Sequence, residues 1–554
     1  MIKSTKKKIV RIVSDFNAGA LSGFLKNKLE YRKFEIEVSP YGQLYKSLAR
    51  SSDSWVDIVW TTPERILPGF KKAYQLEEIT HEDVLADVND FADSIVMASK
   101  NRYVFVASWV LPTNIGYGML DWKDGLGLSN LLAKCNLRLA EKISASSNIF
   151  MLPTHIWMQE TISPFSNKMW YAAKIPYIAS VFEHAAKHIV QYIDGINGRS
   201  RRLIVLDLDN TLWGGVVGEN GWQGIRLGGH DHVGEAFKDF QSALKSLTNR
   251  GVQLAIASKN DETVAMEAID NHPEMILKRS DFAGWRINWH DKANNILDLA
   301  NEINLGLDSI VFIDDNPAER SRVSDAVQGV LVPDWPKDPA MYVEALHSLS
   351  CFETPVISKE DRGRTMMYVS ERNRNNTKHS VKNIDDWLKK LGTQVTASYV
   401  NSNSISRVTQ LFNKTNQLNL STRRLSEQEI ITWAAHKSHS MMAISVSDQF
   451  GDMGLVGIIS VEAIGDRGRL IDFILSCRVM GRQVEETLVH LAVSELVNLG
   501  AKVMEIVYLP TDRNGPTLEI LENSKLEKIN LHEFRVDVDL GYEKPALVKL
   551  NFKE

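Results

Sequence analysis

Short apolar runs recur along the chain, each closing on a turn-forming residue and each separated from the next by a stretch long enough for a helix. The first third carries Ile9-Val10-Arg11-Ile12-Val13, running into Ser14-Asp15-Phe16-Asn17, then Val56-Asp57-Ile58-Val59-Trp60 before Thr61-Thr62-Pro63-Glu64. A third run, Tyr103 to Ala107, precedes Pro112-Thr113-Asn114, and helical lengths such as Gly127 to Ala145 lie between. Strands alternating with helices predict an α/β layer built on a parallel sheet. Gly195, Gly198 and the basic Arg199-Ser200-Arg201-Arg202 mark a boundary, read as a solvated linker.

From about Arg201 to Ser350 the apolar runs are Leu203 to Leu206, Gln253 to Ala257 and Ser309 to Ile313. They are continuous rather than alternating, which predicts strands covered by helices on both sheet faces. A charged helical connector is expected over Lys359 to Asn376. The last segment mixes strands at Met441 to Val446, Gly457 to Val461 and Arg469 to Leu475 with helices such as Val484 to Leu499. The expected layout is three α/β or α+β domains, 1–198, 199–350 and 385–554, with the connector at 351–384.

Composition narrows the class. A chain of 554 residues has room for three or four cores, and 44% hydrophobic with 24% charged residues is the balance of a globular protein. Lys and Arg number 64 against 69 acidic residues, so the whole-chain basic footprint of a nucleic-acid binder is missing. No apolar run approaches the roughly 18 residues of a membrane span. The basic start, Met1 to Lys8, leads into an apolar run broken by Arg11, which predicts no signal peptide. Cys135, Cys351 and Cys477 are too scattered for a disulfide framework or zinc cluster, and a cytoplasmic home is expected.

The chemistry concentrates at Leu206-Asp207-Leu208-Asp209-Asn210-Thr211-Leu212-Trp213. An apolar strand ending at Asp207 puts a carboxylate at the edge of the sheet where open α/β folds bind ligands. Asp209, two residues on, can aim into the same crevice. Two carboxylates so placed suit a Mg²⁺-assisted attack on phosphorus, one as nucleophile and one as acid and base. A calcium loop does not fit, because Leu212 stands where such a loop needs glycine and Gly218 where it needs an acid. Other strand ends add to the set in order. Ser258 can donate to a phosphoryl oxygen, Lys292 can neutralise the transition state, and Asp314-Asp315 can complete an oxygen-rich metal shell. Thr211, Lys259 and Asn260 are candidate substrate contacts. Each alone has a structural reading, a cap, a surface lysine or a turn; the ordered set does not.

This ordered set resembles the haloacid dehalogenase (HAD) superfamily in its phosphotransferase branch. Asp207 to Glu219 and Phe312-Ile313-Asp314-Asp315-Asn316-Pro317-Ala318-Glu319-Arg320 are similar to the FkbH-like subfamily (IIIC phosphatase-like). So are Asn413-Lys414-Thr415-Asn416-Gln417-Leu418-Asn419, Asp448 with Phe450-Gly451-Asp452, and Cys477-Arg478-Val479-Met480-Gly481-Arg482. The resemblance implies Asp207 as nucleophile, Asp209 as acid/base, and Mg²⁺ held by Asp207, Asp209 through its carbonyl, Asp314 and Asp315, with Asp315 the direct ligand of the pair. Only a short flap fits between Thr211 and the helix starting near Val233; its His230 and His232 are read as solvated.

Around Cys477 a strand, a glycine turn and a helix start resemble the acyl-CoA-binding turn of GNAT-type acyltransferases. Cys477 stands before a helix N-terminus and beside Arg478, a setting that favours thiolate, though a buried core cysteine is an equal reading. Arg478, Gly481 and Arg482 are the expected carrier contacts. Ser14 to Asn17 and Trp60 to Glu64 look like an SGNH-hydrolase-like domain, read as non-catalytic because His155 lacks a carboxylate three residues before it, where Leu152 stands. The resemblance implies an enzyme that removes phosphate from 1,3-bisphosphoglycerate and loads a D-glyceryl unit onto the phosphopantetheine arm of an acyl carrier protein, in polyketide or related biosynthesis. The alternatives are a phosphatase of another phosphorylated small molecule and an acyltransferase of surface-glycan assembly.

Overall fold

The computed structural model describes residues 8–29, 34–50, 53–112, 116–159, 161–229, 231–303, 305–356 and 383–553. The expected connector helix at 359–376, Thr113, Asn114 and His230 lie outside the described residues. The chain folds as two compact units, Met1–Ile193 and Asp194–Glu554, so the linker expected near 199 falls just inside the second.

The first unit is built on β1 (Lys8–Ser14), β2 (Phe34–Val38), β3 (Ser54–Trp60), β4 (Tyr103–Ala107) and β5 (Ile149–Leu152). All pair in parallel, in the order β2-β1-β3-β4-β5. The three central strands are those legible as apolar runs. Edge strand β2 (FEIEV) is polar at every second position and half exposed, and β5 is four residues long.

Among the described residues the second unit holds two sheets. The first contains β6 (Leu203–Leu206), β7 (Gln253–Ser258), β8 (Phe282–Ile287) and β9 (Ile310–Ile313), parallel and in the order β8-β7-β6-β9. Every residue of β6, β7 and β9 is buried, as continuous apolar runs demand. The helix Lys292–Ile303 buries Ala293, Ile296, Leu299, Ala300 and Ile303 at three- and four-residue spacing against β7 and β8. The isoleucine and leucine side chains among them contribute about 1.5–3 kcal/mol each, and together these residues hold the helix that begins at Lys292. The flap between Thr211 and the helix His232–Asn249 carries one short helix, Val217–Gly224, and His232 is exposed.

The remaining strands are β10 (Gln394–Tyr399), β11 (His439–Asp448), β12 (Gly451–Ile464), β13 (Arg467–Leu475), β14 (Val503–Val507), β15 (Glu527–Lys528), β16 (Glu533–Asp537) and β17 (Lys549–Lys553). They form a mixed sheet in the order β15-β16-β14-β13-β12-β11-β10-β17. β13 and β14 pair in parallel only from Arg467↔Val503 to Leu470↔Ile506. Beyond that point the chain itself fills the gap: Leu420 N donates to Phe473 O (3.1 Å), Leu475 N to Leu418 O (3.0 Å) and Leu509 N to Leu420 O (3.2 Å). Asn514 Nδ2 and Thr517 Oγ1 pin this insert by donating to Asn419 O and Gln417 O, both at 3.0 Å.

Candidate active site

β6 and β9 are neighbours in register, Leu206 opposite Ile313, so the residues that follow them emerge side by side. The sheet order reverses between these two strands, and the crevice at such a switch point is where an open α/β sheet receives ligands. Asp207, Asp314 and Asp315 meet there, with one carboxylate oxygen from each lying within 4.8 Å of the others. Asp207 and Asp314 are buried and Asp315 is half-buried.

Lys292 neutralises part of this cluster. Its Nζ lies 2.9 Å from Asp207 Oδ1 and 2.6 Å from Asp314 Oδ2, and the lysine is 3% exposed. Burial works against the ammonium, yet the charges of Asp207 and Asp314 hold its pKa above the ordinary lysine value. Burial, and then the charge of Asp207, push the Asp314 carboxyl up to about 6 and raise that of Asp315. Asn316 N donates to Asp314 Oδ1 (2.8 Å), while Arg320 Nη1 donates to the carbonyls of Asp314 (2.9 Å) and Asp315 (2.8 Å). Three carboxylates around a single lysine leave an excess of negative charge. Hard oxygen donors of this kind suit Mg²⁺.

Asp209 occupies a different niche. Its Oδ1 accepts from Trp213 Nε1 (2.9 Å) and Val217 N (3.1 Å), and its Oδ2 from Asn260 Nδ2 (3.0 Å). Its carboxylate is not among the clustered oxygens. Asn210 sits at φ +54°, a left-handed conformation that asparagine tolerates, and its carbonyl accepts from Tyr342 OH at 3.0 Å. The turn is thereby held so that Asp207 and Asp209 diverge.

Ser258 is buried at the end of β7, its Oγ accepting from Asn260 Nδ2 at 3.2 Å. Thr211 Oγ1 accepts from Asp315 N at 3.2 Å and so ties the first strand end to the fourth. Lys259 pairs with Glu319 Oε1 at 2.5 Å. The structure thus gathers Asp207, Lys292, Asp314 and Asp315 in one cluster, with Asp209, Asn260 and Ser258 in a chain of hydrogen bonds beside it. Arg320, Trp213 and Tyr342 were not singled out from the sequence. Arg320 and Trp213 stand inside the motifs that marked the site, whereas Tyr342, 132 residues from its partner, left no local signal.

Cys477 is not brought to this cluster. It opens the one-turn helix Cys477–Val479 after β13, half-buried and outside any disulfide. Arg478 Nε donates to Ser476 Oγ at 3.1 Å. The two further residues expected to meet a carrier are committed within the chain. Gly481, at φ +69°, donates its N–H to Glu485 Oε1 (2.7 Å), and Arg482, 2% exposed, pairs with Asp448 Oδ2 at 3.3 Å. The turn amide thus holds an acidic side chain, and the Arg482 guanidinium lies in an internal ion pair.

Residues 202–362 match the model of the NLI interacting factor-like phosphatase family. The chain is 30% identical to the N-terminal part of protein BF1531 from Bacteroides fragilis, whose crystal structure contains a phosphatase domain complexed with Mg. That match covers 64% of this chain and 96% of that one, with a TM-score of 0.58. A domain from Methanocaldococcus jannaschii aligns with 26% of this chain and 99% of its own at 14% identity and a TM-score of 0.21. Spermidine N-acetyltransferase from Vibrio cholerae, solved with CoA and spermine, aligns with 26% of this chain and 96% of its own at 12% identity and a TM-score of 0.19. No curated protein matches the chain at a significant level. No helix among the described residues is long and apolar enough to cross a membrane.

Proposed function

Because the chain belongs to the family of HAD-type proteins represented by the Mg-complexed Bacteroides fragilis phosphatase domain, we propose that Asp207 is the nucleophile of a phosphatase acting on a small phosphoester. The observation that carries this reading is the Asp207–Lys292–Asp314–Asp315 cluster at the switch point of a parallel sheet. Mg²⁺ held by Asp207, Asp314 and Asp315 would neutralise the non-bridging phosphoryl oxygens.

An Asp207 carboxylate oxygen forms a bond to phosphorus as the ester P–O bond breaks. Asp209 gives its proton to the departing alkoxide. The deprotonated Asp209 then takes a proton from water, whose oxygen attacks the aspartyl phosphate and returns Asp207 with inorganic phosphate released. The donors from Trp213, Val217 and Asn260 fix the Asp209 carboxyl for both transfers. Lys292 remains charged throughout and offsets the negative charge that builds on the phosphoryl oxygens.

The finer reading is that the phosphoester is 1,3-bisphosphoglycerate and that the glyceryl unit passes to the phosphopantetheine thiol of an acyl carrier protein, with Cys477 as the intermediate acceptor. It is supported by the FkbH-like motifs from Asp207 to Arg482. In that step the sulfur of Cys477 bonds to the acyl carbon, the acyl C–O bond breaks, and phosphate leaves with the electron pair while the thiol proton passes to solvent. A phosphatase of another phosphoester is the second reading, favoured by the Glu485 carboxylate on the Gly481 amide.

Inorganic-phosphate release in the presence of Mg²⁺ tests the first reading: Asp207→Asn abolishes it, and release at the wild-type rate would remove Asp207 from the role. Weighing a phosphopantetheinylated carrier after incubation with 1,3-bisphosphoglycerate tests the glyceryl-transfer reading. Cys477→Ser keeps phosphate release and loses glyceryl loading; undiminished loading would make Cys477 a bystander, and a wild-type chain that loads no carrier would favour the plain phosphatase.

A further inference from the structure

Two ion pairs span the crevice that holds the carboxylates. β6 lies between β7 and β9 in the sheet, so a contact from the residues after β7 to those after β9 bridges the strand that leads into Asp207. Lys259, directly after β7, makes such a contact. Its Nζ meets Oε1 of Glu319 at 2.5 Å, in the first turn of the helix Pro317–Ala326 that follows β9. Two inter-strand spacings amount to roughly 10 Å, within the combined reach of a lysine and a glutamate. One turn further along the same helix, Arg322 Nη2 meets Asp291 Oδ2 at 2.6 Å, on the loop from β8 to Lys292.

The Lys259–Glu319 pair is placed where a substrate arrives. Lys259 stands between Ser258, buried at the strand end, and Asn260, which donates to Asp209 Oδ2. Its side chain is 39% exposed. The helix keeps its position without this pair: Arg320 donates to the carbonyls of Asp314 and Asp315, Asn316 Oδ1 accepts from Ala318 N at 2.9 Å, and Arg322 holds Asp291. A Glu319 carboxylate that turns away from Lys259 remains in the first helical turn, where the helix dipole favours an anion. Breaking a partly exposed ion pair costs only about two- to fivefold in an equilibrium constant. A phosphoryl dianion brings about twice the charge of a carboxylate and three acceptor oxygens.

We propose that Glu319 is a specificity-determining residue of the phosphatase crevice, because it competes with the incoming phosphoryl group for Lys259. A dianionic phosphate monoester takes the ammonium from Glu319. A phosphodiester, no more charged than the carboxylate, does not. Lys259 is thus a substrate contact only after the exchange, and the crevice favours monoesters whatever alcohol the phosphate leaves. The inference rests on the phosphatase reading of the crevice and adds the residue that sets its charge preference.

The test is the affinity of the full chain for labelled inorganic phosphate, measured by equilibrium dialysis with saturating Mg²⁺ at about pH 8, where phosphate is a dianion. Glu319→Gln removes the competitor and binds phosphate about two- to fivefold more tightly than wild type. Lys259→Gln binds it about tenfold more weakly, the loss of one charge-assisted hydrogen bond. Adding Glu319→Gln to that variant recovers part of the loss, because an anion without its lysine is removed. Methyl phosphate and dimethyl phosphate, competing against the label, read the selectivity, and the preference for the monoester narrows in Glu319→Gln. Unchanged or weaker phosphate binding by Glu319→Gln overturns the inference, as does a monoester preference that does not move. Weaker binding in both single variants, with the double variant no worse than either, would make the pair a structural brace and overturn it too. A wild-type chain that releases and binds phosphate while Glu319→Gln shows no shift leaves the phosphatase reading standing and removes this inference alone. A chain that neither releases nor binds phosphate removes both.

Discussion

Replacing Lys292 with methionine keeps most of the side-chain volume and removes the single ammonium that contacts both Asp207 and Asp314. The two contacts, 2.9 and 2.6 Å, are made by side chains only 4%, 9% and 0% exposed, so water does little to replace the lost charge. At an effective dielectric of about 20, each contact has a gross attraction of about 6 kcal/mol. Desolvation offsets much of that, and removal of one partner from a buried pair costs about 3–5 kcal/mol net. The variant should therefore lose about 3–5 kcal/mol of stability in metal-free buffer near neutral pH, a large share of the roughly 5–15 kcal/mol typical of a domain. Saturating Mg²⁺ should recover part of the loss, because the unneutralised carboxylates then gain a cation. The loss is read by urea titration with hydrogen exchange of peptides covering β6 and β9, which isolates this sheet from the rest of the chain. Phosphate release should fall about 10²- to 10³-fold, as when a preorganised electrostatic partner is removed. A metal-free variant within about 1 kcal/mol of wild type would refute the reasoning, since a buried charge pair cannot be broken so cheaply.

Chelation should silence phosphate release and Mg²⁺ restore it, with Asp315→Ala weakening apparent Mg²⁺ affinity more than Asp314→Ala. Asp314 already accepts from Lys292 and Asn316 N, and the opposite ranking in a Mg²⁺ titration would exchange their roles. Asn260→Ala releases Asp209 Oδ2 and should lower kcat by about 10- to 100-fold with little change in KM, the cost of one hydrogen bond to a charged group; an unchanged kcat would mean that Trp213 and Val217 alone hold the acid. In the first unit, burial pushes the Asp15 carboxyl up to about 6 from 3.8, against the donors of Thr62 and the charge of Arg65. The fold binds a proton there more tightly than the unfolded chain does. The stability this contributes is complete below the unfolded value and is lost, about 3 kcal/mol in all, as pH rises through about 6. Asp15→Asn should flatten that slope, and an unchanged pH profile of thermal unfolding would show that Asp15 titrates normally.

What was legible in the sequence follows from how far each signal reaches. β6, β7 and β9 stand out because helices cover both faces and every position must be apolar. The residues that end those strands inherit the legibility, which is why the sequence alone marks Asp207, Ser258 and Asp314. Edge strand β2 shows only a weak alternation, and β8 is interrupted by Gly284 and carries the charged Arg286. Lys292 reads as a surface lysine by itself; only the neighbouring strand ends show why it is buried. The insert at Leu418–Leu420 and the Lys259–Glu319 pair join segments distant in the chain, for which no periodicity exists to be read.

The two parallel sheets each place a carboxylate after their first strand, in different surroundings. In the first unit the order reverses between β1 and β3, and Asp15 stands at that switch point much as Asp207 does in the other sheet. Its oxygens accept from Thr62 N (3.2 Å) and Thr62 Oγ1 (2.8 Å), with Arg65 Nε at 3.3 Å. The adjacent Phe16 belongs to a ring cluster centred on Trp60, which packs on Phe16 at 5.6 Å, Tyr177 at 5.1 Å, Phe182 at 5.5 Å and Trp157 at 4.9 Å. Ser14 accepts from Phe16 N at 3.2 Å within the same turn, while His155 is exposed at the start of the helix Thr154–Gln159. Asp15 thus joins the residues that follow β1 and β3 through Thr62. Asp207 differs in having two further carboxylates and a buried lysine converging on it, an arrangement whose electrostatic cost a fold does not need for its own stability. The convergence of three carboxylates on a buried lysine, described at one sheet edge and not at the other, is the physical reason for proposing phosphoryl chemistry at Asp207 and not at Asp15.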